Sequence, residues 1–124
     1  MLEDRDALQQ LRWAVQALAA DADEQLRLFP DFVDKPFELV DDFDNWWRGT
    51  RWRTGLGFTA EHSAALDQVQ RLIDSLPAEA YSEQSVRCDP AWTALRDAAK
   101  EALRVLGWPP ELPPDGRSAY VPGS

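Results

Sequence analysis

One cysteine, one histidine, one isoleucine and two lysines stand among the 124 residues. With Cys88 alone no internal disulfide can form, which excludes the stapled scaffolds that small secreted domains depend on. The lone His62 follows Glu61 directly, so the Glu-x-x-His pair of a di-metal helical bundle is missing. No calcium loop with its central glycine occurs, and "GTRWRTGLG" lacks both the lysine of a P-loop and the strand-to-helix setting of a dinucleotide fingerprint. No apolar run approaches membrane-spanning length, and the opening "MLEDRDALQQL" is charged where a signal peptide would be apolar. The expected address is the cytoplasm. The scarcity of isoleucine bears on fold class: the apolar content comes mainly as Leu, Ala, Trp and Phe, a mix that favours helices over sheets.

What is present is acid. Twenty-two carboxylates against 13 bases give a net charge of −9, a field that repels phosphate backbones and anionic headgroups and draws in cations or basic proteins. Nucleic-acid and membrane partners are therefore disfavoured. The length suits one domain, and an apolar fraction of 44% is enough for one modest core. Eleven arginines against two lysines, with abundant alanine, point to a GC-rich bacterial genome.

The chain predicts a compact all-α bundle of about four helices. Leu8, Leu11, Val15 and Leu18 alternate three- and four-residue steps along a first helix from Glu3 to Ala20. A break follows near Asp21, which forms a capping pair with Glu24 before a short piece reaching Pro30. The second helix spans roughly residues 35 to 48, capped by Asp34 with Pro36 in its first turn and stopped by Gly49. Leu39, Val40, Phe43, Trp46 and Trp47 share its packing side. "GTRWRTGLGFT" reads as a loop. Thr59 caps a third helix that ends at Pro77, and a turn of helix is expected after Ser82. Asp89 and Pro90 start a fourth helix that runs to Leu106 before Gly107. Residues 1–107 form the helical domain, and 108–124 a Pro-rich tail with five of the nine prolines.

The stretch "FPDFVDKPFELVDDFDNWWRGTRWR", residues 29 to 53, concentrates the chemistry. Residues 21 to 44 hold nine carboxylates against Arg27 and Lys35, a net of −7 out of the chain's −9. Asp31, Asp34, Glu38, Asp41, Asp42 and Asp44 could in principle ligate a hard cation, and Glu38 with Asp42 would be neighbours on one helix face. An acidic, solvated helix face is the simpler reading, and neither a metal nor another cofactor is expected. The phenylalanines of the stretch read as packing residues. Of its tryptophans, Trp46 or Trp47 is expected to turn inward, with Trp52 at least partly exposed. Arg48, Arg51 and Arg53 read as internal ion-pair partners rather than a nucleic-acid patch.

Outside this stretch His62 and Cys88 are the candidates for a nucleophile and base. Neither has a recognisable signature around it. His62 fits the first turn of the third helix, and Cys88 the start of the fourth. No catalytic residue is assigned.

The stretch "EQLRLFPDFVDKPFELVDDFDNW" together with "WTALRDAAKEALRVLGW" resembles a pattern in small uncharacterised bacterial proteins, similar in general type to the immunity proteins that neutralise a cognate toxin. The resemblance covers about half the chain, and its motifs are structural. It implies a non-catalytic, cytoplasmic protein-binding module, with a basic toxin domain as the most concrete partner. Charge clustering, rather than the resemblance, assigns the contact residues: Asp31, Asp34, Glu38, Asp41, Asp42, Asp44 and Trp52, since Trp, Tyr and Arg are the residues enriched at binding hot spots. The other readings are a metal protein or enzyme using the same carboxylates, and a homo-oligomer joined through its tryptophan-rich edge.

Overall fold

The structure, a computed structural model, describes residues 4–114. The expected helix start at Glu3 and the end of the tail, 115–124, lie outside the described residues. Four long helices carry the fold: α1 (Asp4–Ala19), α3 (Lys35–Thr50), α4 (Ala60–Asp74) and α6 (Pro90–Leu106). Two short ones, α2 (Ala22–Arg27) and α5 (Glu83–Cys88), fill the connections. There is no strand among the described residues, and the architecture is an all-α bundle.

Local chemistry sets most of the boundaries. The Asp34 carboxylate accepts from Phe37 N at 3.3 Å, Ser82 Oγ from Ser85 N at 3.0 Å and Asp89 Oδ1 from Ala91 N at 2.8 Å. Each satisfies an N–H that the first helical turn leaves without a partner. At Thr59 the cap is reciprocal. Its hydroxyl accepts from His62 N while Thr59 N donates to His62 Nδ1, both at 3.1 Å, so histidine takes the place usually held by Glu or Gln in a capping box. Gly107, at φ 70°, ends α6 in the left-handed conformation that glycine adopts without strain.

Two expected ends are built differently. Asp21 does break the chain, with extended backbone, but its side chain makes no cap bond to α2. Two carbonyls at the end of α1 are met instead by the side chain of Gln25, whose Nε2 donates to Ala17 O at 3.2 Å and Leu18 O at 2.9 Å. Gly49 does not stop α3. The helix continues through Thr50 to an Arg51 C-cap that is itself right-handed, and Thr50 Oγ1 donates back to Trp46 O at 2.7 Å. The loop beyond contains a 3-10 turn, Thr54–Leu56, closed by Gly57 at φ 74°.

Leu11, Leu18, Leu39, Phe43, Trp47, Leu66, Trp92 and Leu95 fill the interior, each at most 1% exposed. Burying aromatic and leucine side chains of this size contributes about 1.5–3 kcal/mol apiece before conformational entropy is opposed to it. α1 packs against both α3 and α6, and α6 also packs on α4. Past Gly107 the chain runs as a non-helical strap onto α1: Gln16 Nε2 donates to Pro109 O at 2.9 Å, and Arg12 pairs with Glu111 at 3.5 Å. Pro113 is buried, and Trp108 packs against the core.

Candidate protein-binding face

α3 is about 24 Å long at 1.5 Å per residue, and its 3.6-residue period divides it into two sides. Leu39, Val40, Phe43 and Trp47 are buried. Glu38, Asp41, Asp42 and Asn45 fall on the opposite side, and Asp34 stands at its N-terminal end. Burial, and after it the charges of Asp41, Asp42 and Asp34, hold the Glu38 carboxyl above the ordinary glutamate value of 4.5. The three aspartates thus lie near enough to act on Glu38, and with it they make up one acidic unit on this side of α3. Asp41 also accepts from Asn45 Nδ2 at 3.1 Å, one turn along.

The other two acids of the stretch are engaged elsewhere. Asp31 is fully exposed and pairs with Lys35 at 3.0 Å. Asp44 turns toward α4: both its oxygens accept from Arg48 Nε at 2.9 Å, and Gln70 Nε2 reaches it at 2.9 Å while also donating to Asp74 at 3.0 Å. Asp44 thus belongs to the seam between α3 and α4. Its neighbour in that seam is Trp47, whose indole Nε1 donates to Asp67 at 2.9 Å.

Trp47 is the inward tryptophan, at 1% exposure, while Trp46 is half-buried and Trp52 is 80% exposed. The guanidinium of Arg51 lies 5.1 Å from the Trp52 ring centre and 5.7 Å from that of Trp47, and it pairs with Asp67 at 3.5 Å. Arg48 pairs with Asp44 and Arg53 with Asp4, so all three arginines of the stretch serve internal ion pairs. Trp52 follows Glu38 by fourteen residues, which is about 20 Å along the helix direction. It does not share the acidic unit's immediate surroundings.

Apolar exposure next to the acids comes from residues that the sequence assigned to packing. Phe29 and Phe43 are buried, but Phe32 is 69% exposed in the turn before α3 and Phe37 is 48% exposed in its first turn. The periodicity contained the signal for Phe37, which precedes the Leu39 and Phe43 positions by intervals that take it off the buried side. Phe32 sits in a turn, where no period applies.

His62 is occupied by the α4 cap, and its ring meets Phe58 edge-on at 6.4 Å. Cys88 is exposed at the end of α5, one residue before the Asp89 cap of α6. No group of three or more His, Cys, Asp or Glu side chains among the described residues is arranged to hold a metal ion. No described helix is long and apolar enough to cross a membrane. Comparison with protein-family models, with curated proteins and with solved structures finds no match in any of the three, so the reading of this face rests on its own geometry.

Proposed function

We propose that the protein is a non-catalytic binding module that presents the solvent side of α3 to a basic protein surface, most concretely as an immunity protein neutralising a toxin domain. The observation that carries this reading is the grouping of Asp34, Glu38, Asp41 and Asp42 on one helix side beside exposed Phe32 and Phe37. Like charges held this close raise the free energy of the unbound protein, and a cationic partner relieves that cost while the phenylalanines supply apolar contact area. The net charge of −9 extends the attraction outward, which speeds association with a basic cleft of the kind nucleases carry. Asp31 adds to the rim of this face. Asp44 and Trp52 lie away from it, so the contact residues narrow to the N-terminal half of α3 and the turn before it.

The test is affinity capture from the native cell, with the captured partner identified and its charge compared. Asp41→Lys combined with Asp42→Lys should leave the helical circular dichroism intact and should not lower the melting temperature, while abolishing capture. Capture that survives this reversal at moderate salt would show that the partner binds elsewhere.

A further inference from the structure

Asp34, Glu38, Asp41, Asn45, Arg48 and Trp52 follow one another in alternating steps of four and three, which keeps them within about 80° of one another around the α3 axis. Arg51 holds a right-handed backbone past the last helical residue, so Trp52 prolongs the line. None of the six belongs to the buried side, and Asp34, Asn45, Arg48 and Trp52 are exposed. The line is sorted by charge. Its N-terminal half holds three carboxylates, with Asp42 and the exposed Phe37 beside them, and its C-terminal half holds Arg48 and Trp52, with Arg51 beside them.

The C-terminal half keeps contact capacity in spite of its internal ion pairs. Arg48 meets Asp44 through Nε while its side chain stays 68% exposed, and a guanidinium carries five N–H donors. Trp52 is held on one ring face by the Arg51 guanidinium and is the most exposed of the large apolar side chains described. Asn45 lies midway, seven residues from Glu38 and seven from Trp52. A second α3, antiparallel and centred on Asn45, therefore sets Arg48 across from Asp42 and next to Asp41. The same register sets Trp52 across from Glu38 and next to Phe37.

We infer that two copies of the chain pair through this side of α3, the helices antiparallel about a two-fold axis at Asn45. Parallel helices would set acid against acid, whereas the antiparallel pair makes each contact twice, with opposite charges matched and helix dipoles opposed. Asn45 facing its own copy fixes the register, as a single asparagine does in paired helices. The net charge of −9 on each copy opposes approach at long range but is screened beyond about 8 Å at physiological ionic strength, so the local match decides. The pairing covers part of the face assigned above to a basic partner but does not rest on that assignment. A monomer leaves the capture reading standing, and failed capture leaves the pairing standing.

The experiment is sedimentation equilibrium of the full chain from micromolar to millimolar concentration, joined to disulfide trapping. The chain should follow a monomer–dimer equilibrium with no higher species, since a two-fold contact closes on itself. Arg48→Glu should weaken the dimer by about tenfold or more, with helical circular dichroism unchanged. Adding Asp42→Arg in the same chain should restore it, because positions six apart do not face each other along one helix and meet only across the axis. In a Cys88→Ser background, Asn45→Cys should form an intermolecular disulfide in air, whereas Glu38→Cys, about 21 Å from its copy along the axis, should not. A monomer at every concentration, a dimer indifferent to Arg48→Glu, or cross-linking of Glu38→Cys as fast as that of Asn45→Cys would each overturn the pairing.

Discussion

Arg96 Nη1 donates to Gln25 Oε1 at 3.0 Å and to Val86 O at 2.9 Å, joining α6 to α2 and α5 through one guanidinium. The Gln25 side chain, fully buried, passes the connection on to the last carbonyls of α1. Desolvation is the main influence on Arg96 and pushes its pKa down, which is the mark of a cation drawn partly out of water.

Gln25→Leu keeps much of the side chain's volume but leaves Leu18 O without its donor, takes one of two donors from Ala17 O and removes one of the two acceptors of Arg96 Nη1. It should cost about 2–3 kcal/mol in urea denaturation. Removing Arg96 as well, as Gln25→Leu with Arg96→Leu, should cost less than the two single changes added together, because the hydrogen bond between the two side chains is lost only once. Additive costs would mean that the two side chains act independently.

Asp67 accepts from the buried indole of Trp47 and also pairs with Arg51. Asp67→Ala should lower stability by about 1–2 kcal/mol, and Asp67→Asn should recover most of the loss, since an amide oxygen can still accept from the indole N–H. Equal melting temperatures for the two variants would make the negative charge, and not the acceptor, the stabilising element.

Gly49 is exposed in the last turn of α3 in an ordinary helical conformation, with nothing within 4 Å of an added Cβ. Gly49→Ala should therefore stabilise the protein by about 0.5–1 kcal/mol, through a smaller loss of backbone entropy on folding. Thermal unfolding should show a gain of a few degrees. A lower melting temperature would place a constraint at this turn that the packing does not reveal.

The raised pKa of Glu38 means that the folded protein holds this proton more tightly than the unfolded chain does. Ionised Glu38 therefore disfavours the fold, and the stability available while it is protonated is lost as pH rises from the ordinary value of 4.5 through the folded value. Glu38→Gln should raise the melting temperature at neutral pH, and the difference from wild type should close below pH 4.5. Parallel pH profiles for the two proteins would remove the electrostatic account of this face.

Much of the fold was legible because its signals are local. Asp34, Thr59, Ser82, Asp89 and Gly107 each act within a turn of their own position, and every one of them bounds a helix where expected. Gly49 misled because glycine is compatible with a stop without forcing one. The end of α3 is decided by the Thr50 hydroxyl and by the Arg51 backbone, which stays right-handed. Gln25 was invisible as a cap because it lies seven and eight residues beyond the carbonyls it serves, and only the reversal at Asp21 brings it back. The inward Trp47 and outward Trp52 agree with expectation. The acidic stretch sorted by angle once the helix was built: Asp44 faces α4, whereas Glu38, Asp41 and Asp42 share the solvent side.

The position of α1 has a consequence for how the molecule opens. It touches α3 on one side and α6 on another, meets the Gln25 side chain at its end, and carries the strap through Gln16 and Arg12. No partial separation of one neighbour frees its backbone. In deuterated water the amides from Leu11 to Leu18 should exchange last, at the rate set by unfolding of the whole chain, while the short α5 releases its protons earlier through local opening.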